Sequence, residues 1–167
     1  LNDLGFLQSR FDVRIIDPGE LGQAEPPVSR SGLDQIEFLF APNPGEPFKP
    51  LKAIASSGEM ARVMLALKTV LASQDSIPVL VFDEVDSNIG GETAGVVGKK
   101  MKQIGAKRQV LCITHLASVA AAGHRHYLVS KEIVGGRTLT RLTQLNGEPR
   151  VVELTRMLGG GGAAARQ

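Results

Sequence analysis

Between Ile77 and Phe82 the chain reads IPVLVF, an unbroken apolar run that ends against two adjacent acids, Asp83 and Glu84. A run this short and this apolar is expected as a strand buried on both faces of a parallel sheet. Both faces then need cover, and the flanking sequence offers it. Upstream, Met60, Val63, Met64, Leu67, Val70 and Leu71 follow the i, i+3, i+4, i+7 spacing of an amphipathic helix that starts near Ser56, with Arg62 and Lys68 off that stripe. Downstream, a helix from about Glu92 to Ile104, a strand QVLCIT, a short helix LASVAAAG and a strand HYLVSK are predicted. Helices alternating with buried strands imply crossover connections and an α/β class, a mostly parallel sheet flanked by helices.

The ends of the chain have a different pattern. FDVRII (Phe11–Ile16) and DQIEFLF (Asp34–Phe40) alternate with period two, the second placing Ile36, Phe38 and Phe40 on one face, and a polar loop rich in Pro and Gly joins them. This predicts an antiparallel pair at a sheet edge, closed by APNPGEPFKP with its four prolines. Gly135-Gly136-Arg137 predicts a hairpin into TLTRLTQL, and Pro149 can open a last helix through Leu158. Residues 1–10 read as the last turns of a helix entering the domain. The tail GGGGAAARQ (159–167) reads as low-complexity and disordered. A first residue other than Met is expected of a piece or a processed product of a longer chain.

Composition narrows the function classes. With 167 residues and 43% hydrophobic content, one domain with a real core is expected. A net charge of +2 does not by itself argue for nucleic acid, and no Trp with a single Tyr leaves little for stacking single-stranded bases. No apolar stretch approaches the ~20 residues of a membrane span. The lone cysteine, Cys112, sits in an apolar run, where a small buried hydrophobe is the expected role.

Four short stretches carry possible chemistry. Asp83 and Glu84 end a strand at the carboxyl edge of a sheet, where ligands of α/β folds bind; such an Asp can hold Mg²⁺ through water and such a Glu can polarise an attacking water. Taken alone, the pair reads more readily as solvated turn acids. Ser56-Ser57-Gly58-Glu59 is a capping box, with Ser56 as N-cap and Glu59 reaching back, and it is also a helix N-terminus able to meet an anion. The two roles compete for the Ser56 hydroxyl, and alone the cap prevails. His115 follows the strand VLCIT; with His124 and His126 it suggests a metal set, but no cysteine or acid stands beside them at ligand spacing. TAGVVGKK (Thr93–Lys100) imitates a phosphate-binding loop and fails: Thr93 holds the first glycine position, Lys100 the final Ser/Thr position, and the stretch reads as helix. No other stretch of the chain matches such a loop.

In order and spacing these stretches resemble the C-terminal half of an ABC-type P-loop ATPase head. ASSGE is similar to the signature motif, VLVFDE to the Walker B motif, SNIGG to the D-loop, and VLCITH to the strand and switch histidine. DEVD, where transporters have DEPT or DEAT, is similar to the SMC-like chromosome-maintenance branch. Within it, residues 35–132 resemble the RecN family of bacterial DNA double-strand-break repair proteins.

The resemblance implies a C-terminal lobe (11–158) of an ABC-type ATPase head, with residues 1–10 as the end of a coiled-coil arm. The phosphate loop would then lie in an N-terminal half of the same head, beyond the coil. It implies ATP and Mg²⁺ as cofactors, Asp83 ordering the metal shell, Glu84 as general base and His115 contacting the γ-phosphate region. Ser56, Ser57, Gly58 and Glu59 would reach ATP on a second head in a homodimer, while Ser87, Asn88 and Ile89 would line the interface. DNA, as double-stranded ends, and a cytoplasmic, nucleoid-associated location are implied, with no membrane. The family usually has glycine where Ser57 stands, so Ser57 is expected at φ < 0 with its amide still able to face a phosphate. The alternatives are a non-catalytic, nucleotide-gated dimerisation or DNA-tethering module and a transporter-type ATPase subunit.

Overall fold

Cover for the acidic strand comes from one side only. β4 (Val79–Phe82) pairs in parallel with β5 (Gln109–Cys112), Leu80 beside Val110 and Phe82 beside Cys112. Leu80 and Phe82 are buried, whereas Val81 is 64% exposed and Val79, Leu111 and Ile113 are exposed with it. The continuous apolar run is therefore half-buried, where burial on both faces was expected. The computed structural model describes residues 1–16, 30, 32–54, 56–72, 74 and 76–160. Most of the Pro- and Gly-rich stretch between Asp17 and Gly32, and the tail from residue 161 on, lie outside the described residues.

The buried side of the β4–β5 pair packs against α1 (Ser57–Val70) and α2 (Gly91–Gly105), with Val63, Leu65, Ala94, Val97, Met101 and Ile104 in the core. α1 turns most of its predicted stripe inward, with Val63 fully buried and Met60, Met64 and Leu67 packed against the core, but not its C-terminal end. Arg62, expected off the apolar stripe, is buried, while Val70 is 78% exposed. Met60 and Met64 also line, with Lys68, Val81 and Asp83, an apolar cleft of ≈ 360 Å³. α3 (Ala117–Ala122) crosses α2 at Gly98, where an added Cβ would stand 3.0 Å from Ala122 Cβ.

The antiparallel edge forms as the alternation predicts. β1 (Arg10–Ile16) and β2 (Gln35–Ala41) pair with Phe11 opposite Phe40, and β3 (Lys49–Pro50) adds two residues. Phe40 is buried but Ile36 is 63% exposed, so the predicted face of β2 is covered only at its core end. In place of helical turns entering the domain there is one 3-10 turn, Asn2–Leu4, closed by Gly5 at φ 89. It delivers Leu4 and Phe6 to the core, where the Phe6 ring meets Phe40 edge-on at 5.3 Å.

β6 (His126–Val134) and β7 (Arg137–Leu145) form a hairpin, and both turn residues, Gly135 and Gly136, have positive φ as a type I′ turn requires. Within the described residues the parallel part is the β4–β5 pair, and β6 pairs with β7 rather than extending it. α4 (Glu148–Thr155) opens at Pro149 as expected. The class is α/β: helices against a parallel pair, antiparallel strands at the edges. No helix among the described residues is long and apolar enough to cross a membrane.

Candidate functional site

At the carboxyl end of β4 the chain makes a tight turn over residues 83–88. Val85 and Asp86 point inward, with Asp86 only 2% exposed, and that anchoring leaves Asp83 and Glu84 exposed side by side. The Ser87 amide donates to the Glu84 carbonyl at 3.0 Å. Two residues of the turn, Glu84 (φ 56) and Asn88 (φ 59), adopt the left-handed conformation. Asn tolerates it; for Glu it costs ~1–3 kcal/mol and persists only where the surroundings impose it.

The N-terminus of α1 abuts this turn. Ser56 is in extended conformation and accepts the Glu59 amide at 3.4 Å, so it is the N-cap that the capping box predicts, held by a long bond. Ser57 is the first helical residue and has no positive φ, which meets the expectation for a side chain in place of glycine. Its hydroxyl donates to the Glu84 carboxylate. Gly58 is buried against the turn: a Cβ there would stand 2.8 Å from Ser87 Cβ and 3.0 Å from the Glu84 carbonyl oxygen. Arg62 donates to the Ser87 carbonyl at 2.8 Å and lies over the Phe6 ring, its pKa lowered by burial and partly restored by Glu59.

His115 approaches from the other side, just beyond β5. Its ring is 70% exposed, with Nδ1 3.2 Å from Asp86 Oδ2. The same Asp86 oxygen accepts the Thr114 hydroxyl, the His115 amide at 3.0 Å and the Leu116 amide at 3.3 Å. The turn over 83–88 thus touches both other parts, α1 through Ser57, Gly58 and Arg62, and the His115 loop through Asp86. Of these, Asp86, Thr114 and Arg62 were not singled out by sequence. An acid immediately after the buried Val85 was the available signal for Asp86.

The other sequence candidates lie apart. His124 is exposed ahead of β6 and His126 opens it, half-buried. Among the described residues no group of three or more His, Cys, Asp or Glu is placed to hold a metal by itself. Thr93 to Lys100 are helical within α2, so the imitation phosphate loop is not a loop. Cys112 is half-buried, and burial, then the charges of Asp86 and Asp83, push its thiol up to about 12. Asp83 and Glu84 offer exposed carboxylate oxygens, a donor chemistry that fits Mg²⁺ held largely through water.

Comparison with known proteins identifies the chain. No protein-family model matches it. It is 43% identical over 160 residues to the DNA repair protein RecN of Xylella fastidiosa, covering 96% of this chain and 28% of that protein. It is 47% identical over 160 residues to RecN of Treponema pallidum, with the same coverage. Against RecN of Bacillus subtilis it is 41% identical over 133 residues, 80% of this chain and 23% of the relative. The chain thus spans less than a third of the length of these relatives. In fold it is similar to the Smc head domain with coiled coil and joint from Pyrococcus yayanosii, at TM-score 0.62 and 20% identity, over 93% of this chain and 27% of that one. The Smc head from Pyrococcus furiosus, solved with the C-terminal domain of ScpA, matches at TM-score 0.51 and 19% identity, over 95% of this chain and 35% of that one. With the fold of part of an Smc head domain, the chain belongs to the RecN family of DNA repair proteins and spans about a quarter of their length.

Proposed function

We propose that this chain contributes the general base, the metal-ordering acid, the switch histidine and the partner-facing helix end to an ATP-hydrolysing head of a DNA double-strand-break repair protein. One observation carries the reading: the 83–88 turn presents Asp83 and Glu84 at the sheet edge while touching both the N-terminus of α1 and the His115 loop. Scaffolding alone does not require exposed acids, an exposed histidine and a strained Glu84 to converge.

The roles follow from position. Asp83 would hold Mg²⁺ through water, and the metal with the nucleotide supplies the polarised phosphoryl group. Glu84 would take a proton from the attacking water, after its carboxylate leaves the Ser57 hydroxyl. His115, its ring 70% exposed, would orient toward the γ-phosphate region through Nε2. The amides at the start of α1, with Ser56, Ser57, Gly58 and Glu59, would face ATP on a second copy of the head, and Ser87 and Asn88 would line that contact. The phosphate cradle would come from an N-terminal half of the same head, joined through a coiled-coil arm. Double-stranded DNA ends, in the cytoplasm and on the nucleoid, are the substrate that fits this family. The named relatives are DNA repair proteins, which favours this over a transporter subunit.

The test is ATP turnover by the chain together with the N-terminal half, wild type against Glu84→Gln, with the lone chain as control. Turnover should appear only in the complete head and fall ~10²–10⁴-fold in the variant while ATP still binds. The lone chain should show no micromolar ATP binding by calorimetry. A complete head that binds ATP without turnover would favour the nucleotide-gated clamp, a reading that the Ser57–Glu84 bond also suits.

A further inference from the structure

Asp86 is a buried carboxylate that the roles above leave unused. It is 2% exposed, and its only ion-pair partner among the described residues is the His115 imidazole. An apolar side chain would fill that space without desolvating a charge, so the carboxylate needs another explanation. Its hydrogen-bond donors come from three consecutive residues, the Thr114 hydroxyl and the His115 and Leu116 amides, and the His115 ring sets Nδ1 3.2 Å from the same oxygen. The Thr114 hydroxyl also meets the Leu116 amide, at 3.1 Å, which closes the loop on itself. Asp86 therefore ties the loop after β5 to the turn after β4, whose sequence is separated from it by α2 and β5.

The ring contact has a chemical consequence. A carboxylate only accepts, so 3.2 Å from it the favoured arrangement puts the ring proton on Nδ1. The neutral ring then has its lone pair on Nε2, the opposite of the tautomer an imidazole in water prefers. When the ring is charged, Nε2–H is a donor. In both states Nδ1 faces the buried carboxylate while the ring stays 70% exposed, the arrangement by which an outer carboxylate orients a working histidine.

We propose that Asp86 is a positioning residue for His115, fixing the loop, the ring orientation and the Nδ1–H tautomer so that Nε2 faces the reacting phosphate. This rests on the function proposed above for His115, and its test separates the two.

The experiment uses the full-length protein, with Asp86→Asn, His115→Gln and the double variant. Diethyl pyrocarbonate, which attacks an unprotonated ring nitrogen, is followed at each histidine by peptide mass spectrometry. His115 should react several-fold more slowly in Asp86→Asn, while the exposed His124 keeps its rate as the internal reference. ATP turnover should fall about 10–100-fold in kcat, the usual loss when an orienting outer partner is removed, with KM little changed. The double variant should be no slower than His115→Gln, because Asp86 acts through that ring. An unchanged His115 rate, or a further loss in the His115→Gln background, would overturn the proposal. If Asp86→Asn does not fold, ¹⁵N-histidine spectra of the wild-type protein decide: an Nε2–H pattern at His115, assigned by its absence from His115→Gln, overturns it as surely. A wild-type protein without turnover would remove the ATPase reading and leave the reactivity and tautomer results standing.

Discussion

Gly58→Ala probes how tightly the start of α1 is locked to the acidic turn. The added Cβ would lie 2.8 Å from Ser87 Cβ, 3.0 Å from the Glu84 carbonyl oxygen and 3.3 Å from an Arg62 guanidinium nitrogen. Carbon atoms in good contact sit ~3.5–4.0 Å apart, so relief requires a shift of about 0.7 Å or more. No rotamer change supplies it at the first two contacts, since Ser87 Cβ is fixed by its backbone and the Glu84 carbonyl accepts the Ser87 amide. The turn must move as a unit, against the fully buried Val85 beneath it. Overpacking of this kind costs ~1–3 kcal/mol, offset by up to ~1 kcal/mol of helix propensity that Ala gains over Gly. With that full offset a net loss of about 0–2 kcal/mol is expected.

Gly95→Ala is the matched control, because an added Cβ there meets nothing within 4 Å inside α2. It should stabilise by ~0.5–1 kcal/mol, and the difference between the two variants cancels the glycine's unfolded-state term. Urea unfolding of the chain measures both, and the same variants in the complete head should show lost turnover for Gly58→Ala alone. If Gly58→Ala is as stabilising as Gly95→Ala, the turn yields freely and the argument that α1 and the acids move together is wrong.

Two further outcomes follow from packing and burial. Gly98→Ala should destabilise by ~1–3 kcal/mol in the same unfolding assay, since its Cβ would meet Ala122 Cβ at 3.0 Å and the Ser118 carbonyl at 3.1 Å where α2 and α3 cross. Cys112, its thiol pushed from 9.0 up to about 12 by burial and then by Asp86 and Asp83, should resist iodoacetamide at pH 9 in the folded chain and react readily in urea. A raised folded pKa means that the folded state holds the proton more tightly. Its contribution to stability is therefore full below the unfolded thiol pKa and is lost as pH climbs through the window from about 9 to 12. Equal alkylation rates in folded and unfolded chain would contradict the burial.

Local features of the fold were legible where one residue type has few uses. The Gly135-Gly136 turn, the Ser56 cap and the Pro149 helix start follow from backbone chemistry within a few residues, and the structure has all three. Order and spacing single out the acids and His115, and the structure sets them on two turns joined through Asp86. What periodicity could not supply was the partner of each face. Arg62 sits at a position that spacing assigns to the polar side of α1, yet a carbonyl acceptor at Ser87 and the Phe6 ring draw it inward. Both partners are distant in sequence. Asp86 was overlooked for the same reason, since its donors lie about thirty residues on, beyond α2 and β5.

The mismatch at β4 has a different origin. An apolar strand that leaves Val79 and Val81 exposed, beside exposed Leu111 and Ile113 on β5, departs from the rule that parallel strands are covered on both faces. β1 and β2 show the same excess, with Val13, Ile15, Ile36 and Phe38 all exposed. These side chains follow strand periodicity and chain neighbours of ordinary cores, so their sequence is consistent with burial that this chain alone does not provide. The relatives are more than three times as long as the region matched here. If the N-terminal half of the proposed head is the layer that covers β4 and β5, the phosphate loop it would carry lies at the same sheet edge as Asp83 and Glu84.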